Sequence, residues 1–146
     1  MMIAVINGPN LNLLGKREPD IYGSLTLDQI NESLKTQFPD TDLTFYQSNH
    51  EGSLIDYIQQ TGFDPNTKGI VFNPGAYSHY SIALRDCIAA IPVPVIEVHI
   101  SNIHAREDFR HTSVTAAAAL AVIAGLGPQG YAAAIRALLN NTSTPC

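Results

Sequence analysis

Glu97 and His99 are the residues whose types and spacing most directly indicate chemistry. They lie two positions apart in an apolar, strand-like run, and side chains two apart on a β-strand point to the same face. A carboxylate beside an imidazole orients the ring for proton transfer, which is the favoured interpretation. With His104 nearby, the same residues also resemble a zinc or iron set of two histidines and one carboxylate. A buried, hydrogen-bonded histidine without a catalytic role is the third interpretation.

A long polar loop follows the first strand-like run and carries Arg17 and Tyr22. Residues 7–23 are rich in Asn, Gly, Lys, Arg and Pro, whereas connections usually span about 4–6 residues and longer ones are often functional. Taken alone, Tyr22 is interpreted as an exposed aromatic residue and Arg17 as a solvated charge. The glycines and prolines of the loop suit a hinged lid that closes over a ligand in an active site.

Strand-like and helix-like patterns alternate along the chain. Apolar, β-rich runs occur at residues 3–6, 43–46, 69–72 and 93–100. Thr26 and Gln29 form a capping box ahead of a helix that Pro39 ends. Further helices are predicted near Ser53, from Ser78 or Ser81, and over two Ala-rich stretches at 115–125 and 128–139. Alternating strands and helices indicate βαβ units and a parallel sheet.

These elements predict one domain over residues 1–146. Short strands that are apolar on both faces suit a sheet covered by helices on both sides, so a flavodoxin-like, doubly wound parallel sheet is expected. Residues 140–146 are predicted to be a frayed tail. Only 14% of the residues are charged and 45% are hydrophobic, which indicates that other subunits cover part of the surface.

Charge and cysteine content exclude several classes of protein. A net charge of −5 argues against a general nucleic-acid binder but leaves room for a small anionic ligand. No run approaches the roughly 20 apolar residues of a membrane span. Cys87 and Cys146 are isolated thiols, and the first residues lack the charged start of a signal peptide. A reducing cytoplasm is therefore the expected location.

Polar residues follow each predicted strand, at the edge where parallel sheets bind ligands. These segments span residues 7–22, 49–52, 73–79 and 97–102. Any one Asn or Gly there could simply form a turn. Because every loop at this edge carries hydrogen-bonding side chains, a binding site is the better interpretation of the whole set.

Two nucleotide-binding patterns do not hold in context. Residues 125–130 match GxGxxG, but they follow a predicted helix and are expected to join two helices. Residues 8–17 superficially resemble a phosphate-binding loop, but Arg17 stands where a Ser or Thr is needed for magnesium. A flavin- or nucleotide-binding module and a metal-dependent lyase or hydrolase nevertheless remain alternatives to a cofactor-free enzyme.

Four motifs, taken together, resemble the type II 3-dehydroquinate dehydratase family. They are NGPNLNLLGKREPDIYG from residue 7, QSNHEG from residue 47, NPGAYSHYS from residue 73 and EVHISNIHAREDFR from residue 97. GLGPQGY at 125–131 resembles the closing segment of that family. The sequence departs from the family pattern at residues 111–114 and in the Ala-rich run that follows.

The resemblance implies a flavodoxin-like fold and reversible dehydration of 3-dehydroquinate to 3-dehydroshikimate, without metal or cofactor. The reaction would serve the shikimate pathway or quinate breakdown. Tyr22 matches the catalytic base and His99 the proton donor. Arg17 matches the residue that activates the tyrosine, Asn10 the one that holds a water near the enolate oxygen, and Glu97 the partner of His99.

The resemblance also implies substrate-binding residues and an assembly. The substrate-binding positions match Asn73, His79, Ile100, Ser101 and Arg110, and the backbone amides of Ile100 and Ser101 are the expected cradle for the substrate carboxylate. Asp86 matches a residue that reaches in from a neighbouring subunit. The expected assembly is a homododecamer built from trimers, with no nucleic-acid or membrane partner.

Overall fold

A five-stranded parallel sheet forms the centre of the protein, here a computed structural model that describes residues 1–141. The strand order is β2-β1-β3-β4-β5. The strands are β1 Met2–Asn7, β2 Asp42–Gln47, β3 Thr67–Asn73, β4 Val95–His99 and β5 Ala121–Ala124. All four strand pairs are parallel. The carboxyl ends of the strands therefore meet at one edge, as the sequence predicted.

In the described part of the chain, five α-helices connect and cover the strands. They are α1 Pro19–Tyr22, α2 Leu27–Gln37, α3 Glu51–Gly62, α4 Ile82–Ala90 and α5 Gln129–Asn140. The predicted capping box starts α2, since the Thr26 hydroxyl accepts from the backbone of Gln29 and the Gln29 side chain accepts from the backbone of Thr26. Ser81, rather than Ser78, caps α4. No helix within residues 1–141 is long and apolar enough to cross a membrane.

Each face of the sheet has its own buried core. Along β1, Ile3 and Val5 pack on one face, whereas Ala4 and Ile6 pack on the other, because alternate side chains point in opposite directions. Helices α2 and α5 contribute to the first core, and α3 and α4 contribute to the second. The predicted doubly wound, flavodoxin-like sheet is confirmed, with one strand more than the sequence patterns indicated.

That additional strand corrects the prediction of a helix over residues 115–125. Only a 3-10 turn, Ala116–Ala118, forms there, and β5 follows it. Backbone pairing with β4 stabilises the extended chain, in the register Ile96↔Ala121 to His99↔Ala124. Alanine has the highest helix propensity of all residues, but propensity is a weak determinant, and pairing at the sheet edge overrides it. Gly125, at φ 86°, ends the strand in a conformation that suits glycine.

Strand β5 also corrects the expectation that residues 125–130 join two helices. This segment joins β5 to α5 and not two helices. Its glycines still do not form an open phosphate cradle. The Gly125 amide donates to the carbonyl of His99, and the Gly127 amide donates to the carbonyl of Ile100. These two hydrogen bonds therefore fix His99 and Ile100, where the chain leaves β4.

The boundary of the predicted tail also changes. Asn140 is the last residue of α5, so it belongs to the helix and not to a tail. Asn141 caps that helix, and the rest of the predicted frayed segment, residues 142–146, lies outside the described residues.

The loop after β1 contains two short helical turns. A 3-10 turn, Leu11–Leu13, and helix α1 divide it, and the buried side chains of Leu11 and Leu14 anchor it to the core. Gly8 packs closely against the loop after β3, because a Cβ there would lie 2.5 Å from the carbonyl oxygen of Pro74. The two loops that border the predicted site are thus in direct contact, while closure of residues 7–23 as a lid stays a prediction.

Candidate active site

Tyr22 lies between two guanidinium groups. Its hydroxyl oxygen accepts from Arg17 Nη2 at 3.0 Å and from Arg106 Nη1 at 2.7 Å. Both guanidiniums also lie over the phenol ring, 4.5 and 5.2 Å from its centroid. The turn of α1 fixes this arrangement, since the backbone of Tyr22 bonds to Glu18, which caps the turn at φ 37°. Negative charge on the phenol oxygen would thus face two cations.

Arg106 is the residue that sequence analysis missed. Within the described residues, no α-helix carries Arg106 and Arg110 together. Arg106 follows the 3-10 turn Ile103–Ala105, and Arg110 ends a separate turn, Asp108–Arg110. The Arg106 guanidinium crosses to Tyr22, 84 positions away along the chain, and also contacts the Ser101 hydroxyl at 3.4 Å. In the sequence, a role for Arg106 was indicated only by its position in the motif EVHISNIHAREDFR, which begins at residue 97.

His99 and Glu97 form the expected pair at the end of β4. His99 Nε2 lies 2.6 Å from Glu97 Oε1, and Glu97 is fully buried. Because Nε2 faces the carboxylate, Nδ1 is the ring nitrogen that can serve a ligand in the pocket. The hydroxyls of Ser113 and Thr115 also donate to the carboxylate, at 2.7 and 2.6 Å. The strand alternation therefore predicted the pair correctly, while its two hydroxyl partners were not anticipated.

The hydrogen bonds to Glu97 determine its charge. Burial by itself raises the pKa of this carboxyl, but the bonds from His99, Thr115 and Ser113 outweigh burial and hold the pKa below its ordinary value. A carboxylate is thus maintained beside His99. It fixes the orientation of the imidazole ring.

We expect Glu97 to make folding stability depend on pH. A carboxyl with a lowered pKa contributes stability above pH 4.5, its ordinary pKa, and loses it as the pH falls through the folded-state value. Glu97→Gln should therefore lose less free energy of unfolding than the wild type between pH 7 and pH values below 4.5. Denaturant titrations at each pH measure this difference. Glu32→Gln, at an exposed surface pair with Lys35, is the matched control. Equal losses in the wild type and Glu97→Gln would contradict the assignment.

One pocket at the carboxyl edge of the sheet unites most of the predicted site residues. Nine of the eleven line it: Asn10, Arg17, Tyr22, Asn73, His79, His99, Ile100, Ser101 and Arg110. Arg106 lines the same pocket. Glu97 lies behind His99 and supports it from within the sheet. The pocket thus combines a phenol, imidazoles, amides and three guanidiniums, a set that suits a small anionic ligand.

His79 stands opposite His99 in this pocket, with ring centroids 6.4 Å apart. Its Nδ1 lies 2.8 Å from the carbonyl oxygen of Thr112. Burial lowers the pKa of His79 below its ordinary value, and the positive charges of His99 and Arg110 lower it further against the effect of the Thr112 bond. His79 is therefore disposed to be neutral near pH 7 and to act as a hydrogen-bonding group.

Asn73 and Asn10 are held by residues that the sequence did not single out. The Asn73 amide donates to the Tyr131 hydroxyl at 2.9 Å, and this hydroxyl donates to Asn7 at 2.5 Å. Asn10 adopts φ 68°, and its backbone amide donates to the Asn49 side chain at 3.0 Å. Both asparagines thus enter the pocket from constrained positions.

Asp86 is the predicted site residue that this chain does not bring to its own pocket. It lies on α4, with its side chain 70% exposed and 3.7 Å from Arg85. The placement leaves it free to approach another subunit, and its role stays a prediction.

The residues weighed as a metal set are not gathered together. His104 lies beside His111, with ring centroids 5.9 Å apart, and Glu97 already accepts hydrogen bonds on both oxygens. Within residues 1–141, no group of three or more His, Cys, Asp or Glu side chains could hold a metal ion.

Fold and site together define a flavodoxin-like α/β enzyme with one pocket that is lined by acid–base groups. The chain belongs to the class II dehydroquinase family, whose model, "Dehydroquinase class II", matches residues 1–139. The resemblance found in the sequence motifs is thereby confirmed.

Individual relatives agree with this family over nearly their whole length. The chain is 56% identical over 144 residues to the 3-dehydroquinate dehydratase of Bacillus licheniformis, which covers 97% of both chains. It is 53% identical over 137 residues to that of Chlorobaculum tepidum, covering 94% of this chain and 93% of the relative. The crystal structure of the type II dehydroquinase from Butyrivibrio crossotus superimposes with a TM-score of 0.92 at 48% identity, covering 96% of this chain and 98% of that one.

Proposed function

We propose that this protein catalyses the reversible dehydration of 3-dehydroquinate to 3-dehydroshikimate by anti elimination through an enolate. Membership of the class II dehydroquinase family and relatives named 3-dehydroquinate dehydratase support the reaction. The observation that carries the mechanism is the Tyr22 hydroxyl, held between the guanidiniums of Arg17 and Arg106 in the same pocket as His99.

Tyr22 is the proposed base. An ordinary tyrosine has a pKa of about 10 and is a poor base at neutral pH. Two guanidiniums within hydrogen-bonding distance of the phenol oxygen stabilise negative charge on that oxygen. The phenolate takes the acidic proton from the carbon beside the substrate ketone, and the electron pair of that C–H bond forms the enolate.

His99 is the proposed acid. As the enolate collapses, the neighbouring carbon–oxygen bond breaks, and His99 gives its proton to the departing hydroxyl, which leaves as water. Glu97 stabilises the protonated imidazole before transfer and fixes the ring. A proton then passes from Tyr22 to solvent and another returns to His99, so that one turnover releases only water and product.

The remaining pocket residues are proposed to bind the substrate. Arg110 and the backbone amides of Ile100 and Ser101 take the carboxylate, and Arg110 is oriented for this by a 2.8 Å bond from Nε to Glu107. Asn73 and His79 bind substrate hydroxyls. Asn10 holds the water that stabilises the enolate oxygen.

A spectrophotometric assay with 3-dehydroquinate tests this function, because the product contains a conjugated enone that absorbs and the substrate does not. We expect absorbance to rise with purified enzyme, and to rise equally after treatment with a chelator. Absence of turnover would contradict the proposed reaction, and loss of turnover with the chelator would restore the metal-dependent alternative.

Both guanidiniums at Tyr22 should be needed for a normal rate. We expect Arg17→Ala and Arg106→Ala each to lower kcat by roughly 10-fold or more, since each removes a charged hydrogen bond to the phenol oxygen. Lysine at either position should restore only part of the rate, because it keeps the charge and loses the planar fork. Arg136→Ala, near Phe38 and outside the pocket, is the control. A normal kcat in either alanine variant would remove that arginine from the activation of Tyr22.

We propose that the working assembly is a homo-oligomer, a dodecamer built from trimers. Three large apolar side chains at or beside edge strand β5 are exposed, Leu120, Val122 and Leu126, and the chain as a whole carries few charges. Contacts between subunits would cover such a surface. Asp86, exposed on α4, is the residue proposed to reach the pocket of a neighbour.

Mixing two inactive variants tests the contribution of Asp86. Asp86→Ala and Tyr22→Phe chains, each inactive alone, should regain activity when they are unfolded and refolded together, because some hybrid sites then combine an intact Tyr22 with an intact Asp86. Asp28→Ala is the control: this aspartate is exposed on α2, and the variant should be fully active without mixing. Sedimentation that shows a fully active monomer would overturn the proposed assembly.

A further inference from the structure

Two hydroxyl groups surround the buried carboxylate behind His99. Thr115 is completely buried, and its hydroxyl donates to Glu97 Oε2 at 2.6 Å. The Ser113 hydroxyl donates to Oε1 at 2.7 Å, the same oxygen that lies 2.6 Å from His99 Nε2. Within residues 1–141, the carboxylate therefore has these three side chains as its hydrogen-bonding partners.

The segment that carries the two hydroxyls is itself fixed. The backbone amide of Val114 donates to the carbonyl of Ser78 at 2.7 Å, and the amide of Ala116 donates to the Ser113 hydroxyl at 3.1 Å. The Ser113 and Thr115 hydroxyl oxygens lie 3.1 Å apart. The hydroxyls thus approach Glu97 from a backbone that is tied to the rest of the site and not from a free loop.

A buried carboxylate with so few partners depends on each of them. An ionised group without compensating hydrogen bonds is strongly destabilised inside a protein, and neutral hydroxyl donors favour the charged over the protonated form. Thr115 occupies Oε2, so Glu97 contacts the imidazole through Oε1, which Ser113 also holds in place. They are therefore placed to control both the charge and the orientation of the group that acts on His99.

We propose that Thr115 and Ser113 are positioning residues that keep Glu97 ionised and directed at His99, and so set the proton-donating state of His99. The proposal rests on the proposed function in taking His99 as the acid. Neither hydroxyl lines the pocket, so both act through Glu97.

A carboxylate and an imidazole 2.6 Å apart are expected to titrate as a linked pair. Loss of a hydroxyl donor makes the ionised carboxylate less stable, so the pair holds its protons more tightly and titrates at higher pH. His79 is the titratable group that interacts electrostatically with this pair from a neighbouring turn, and Arg110 acts in turn on His79. Both remain in place when Thr115 is changed, and their effect is common to all the variants below.

Thr115→Val tests the proposal, because it removes the hydroxyl and nearly preserves the shape. We expect kcat to fall by about 10-fold, the loss that a hydrogen bond to a charged group produces, with KM little changed. Thr115→Ser, which restores the hydroxyl, should recover most of the rate. In a Glu97→Gln background, Thr115→Val should cause little further loss. Thr67→Val is the matched control, since the Thr67 hydroxyl is buried without a hydrogen-bond partner among residues 1–141.

A second measurement needs no turnover. Nitrogen-15 NMR of the His99 ring, assigned by its loss in His99→Gln, should show the titration of the pair moved to higher pH in Thr115→Val and unmoved in Thr67→Val. Ser113→Ala, at a less buried position, serves in the same way if Thr115→Val does not fold. If the wild type fails to dehydrate 3-dehydroquinate, the proposed function is lost while this titration still decides the role of the hydroxyls. An unmoved titration, or a moved titration with normal kcat, would overturn the proposal.

Discussion

Tyr22→Phe is expected to lower kcat by roughly 10²–10⁴-fold, the range typical for loss of a general acid or base. The substitution deletes the one oxygen that meets both Arg17 and Arg106 and retains the ring that packs against the core. The affinity for 3-dehydroquinate should therefore change little. Steady-state kinetics and direct measurement of substrate binding separate the two effects.

Tyr57→Phe provides the matched control for that result. Tyr57 stacks on Tyr46, with ring centroids 4.1 Å apart, and does not line the pocket. Loss of its hydroxyl should leave kcat unchanged. A Tyr22→Phe enzyme with near-normal kcat would mean that the base is another residue, and His79 would be the first candidate because its ring is disposed to be neutral.

His99→Gln should cause a loss of similar size, roughly 10²–10⁴-fold in kcat. The variant keeps a hydrogen-bonding side chain beside Glu97 but cannot deliver a proton to the departing hydroxyl. Because the hydroxyl is then a poor leaving group, the second half of the reaction should fail while the substrate still binds. Rates of enone formation and equilibrium binding measure the two effects.

His104→Gln is the corresponding control, because His104 is an exposed histidine outside the pocket. Its kcat should match that of the wild type. If His99→Gln retained a normal rate, or if it lost only affinity for the substrate, His99 would be a binding residue and the acid would have to be sought elsewhere in the pocket.

The parts of the site that lie on strand ends could be predicted from the sequence. Alternation along β4 places Glu97 and His99 on one face, and parallel strands bring Asn73 to the same edge. These inferences need only the strand period and the direction of the chain. The long loop after β1 was also a sound indication, although its two helical turns were not visible in its polar composition.

Features that depend on tertiary contacts were missed. Strand β5 was mistaken for a helix because alanine has a high helix propensity, whereas pairing with β4 decides the conformation of this segment. Arg106 reaches Tyr22 through a long side chain across two loops, which no local spacing encodes. Thr115 looks like an ordinary helix-cap residue until the fold places its hydroxyl on Glu97.

Exchange of the acidic substrate hydrogen in D₂O tests the division of roles between Tyr22 and His99 most directly. With 3-dehydroquinate in D₂O, proton NMR follows loss of the C–H signal beside the ketone, and absorbance follows the enone. We expect His99→Gln to exchange this hydrogen faster than the uncatalysed reaction while forming little enone, because Tyr22 still makes the enolate. Tyr22→Phe should do neither. Exchange that survives in Tyr22→Phe and disappears in His99→Gln would contradict the assignment of Tyr22 as base and His99 as acid.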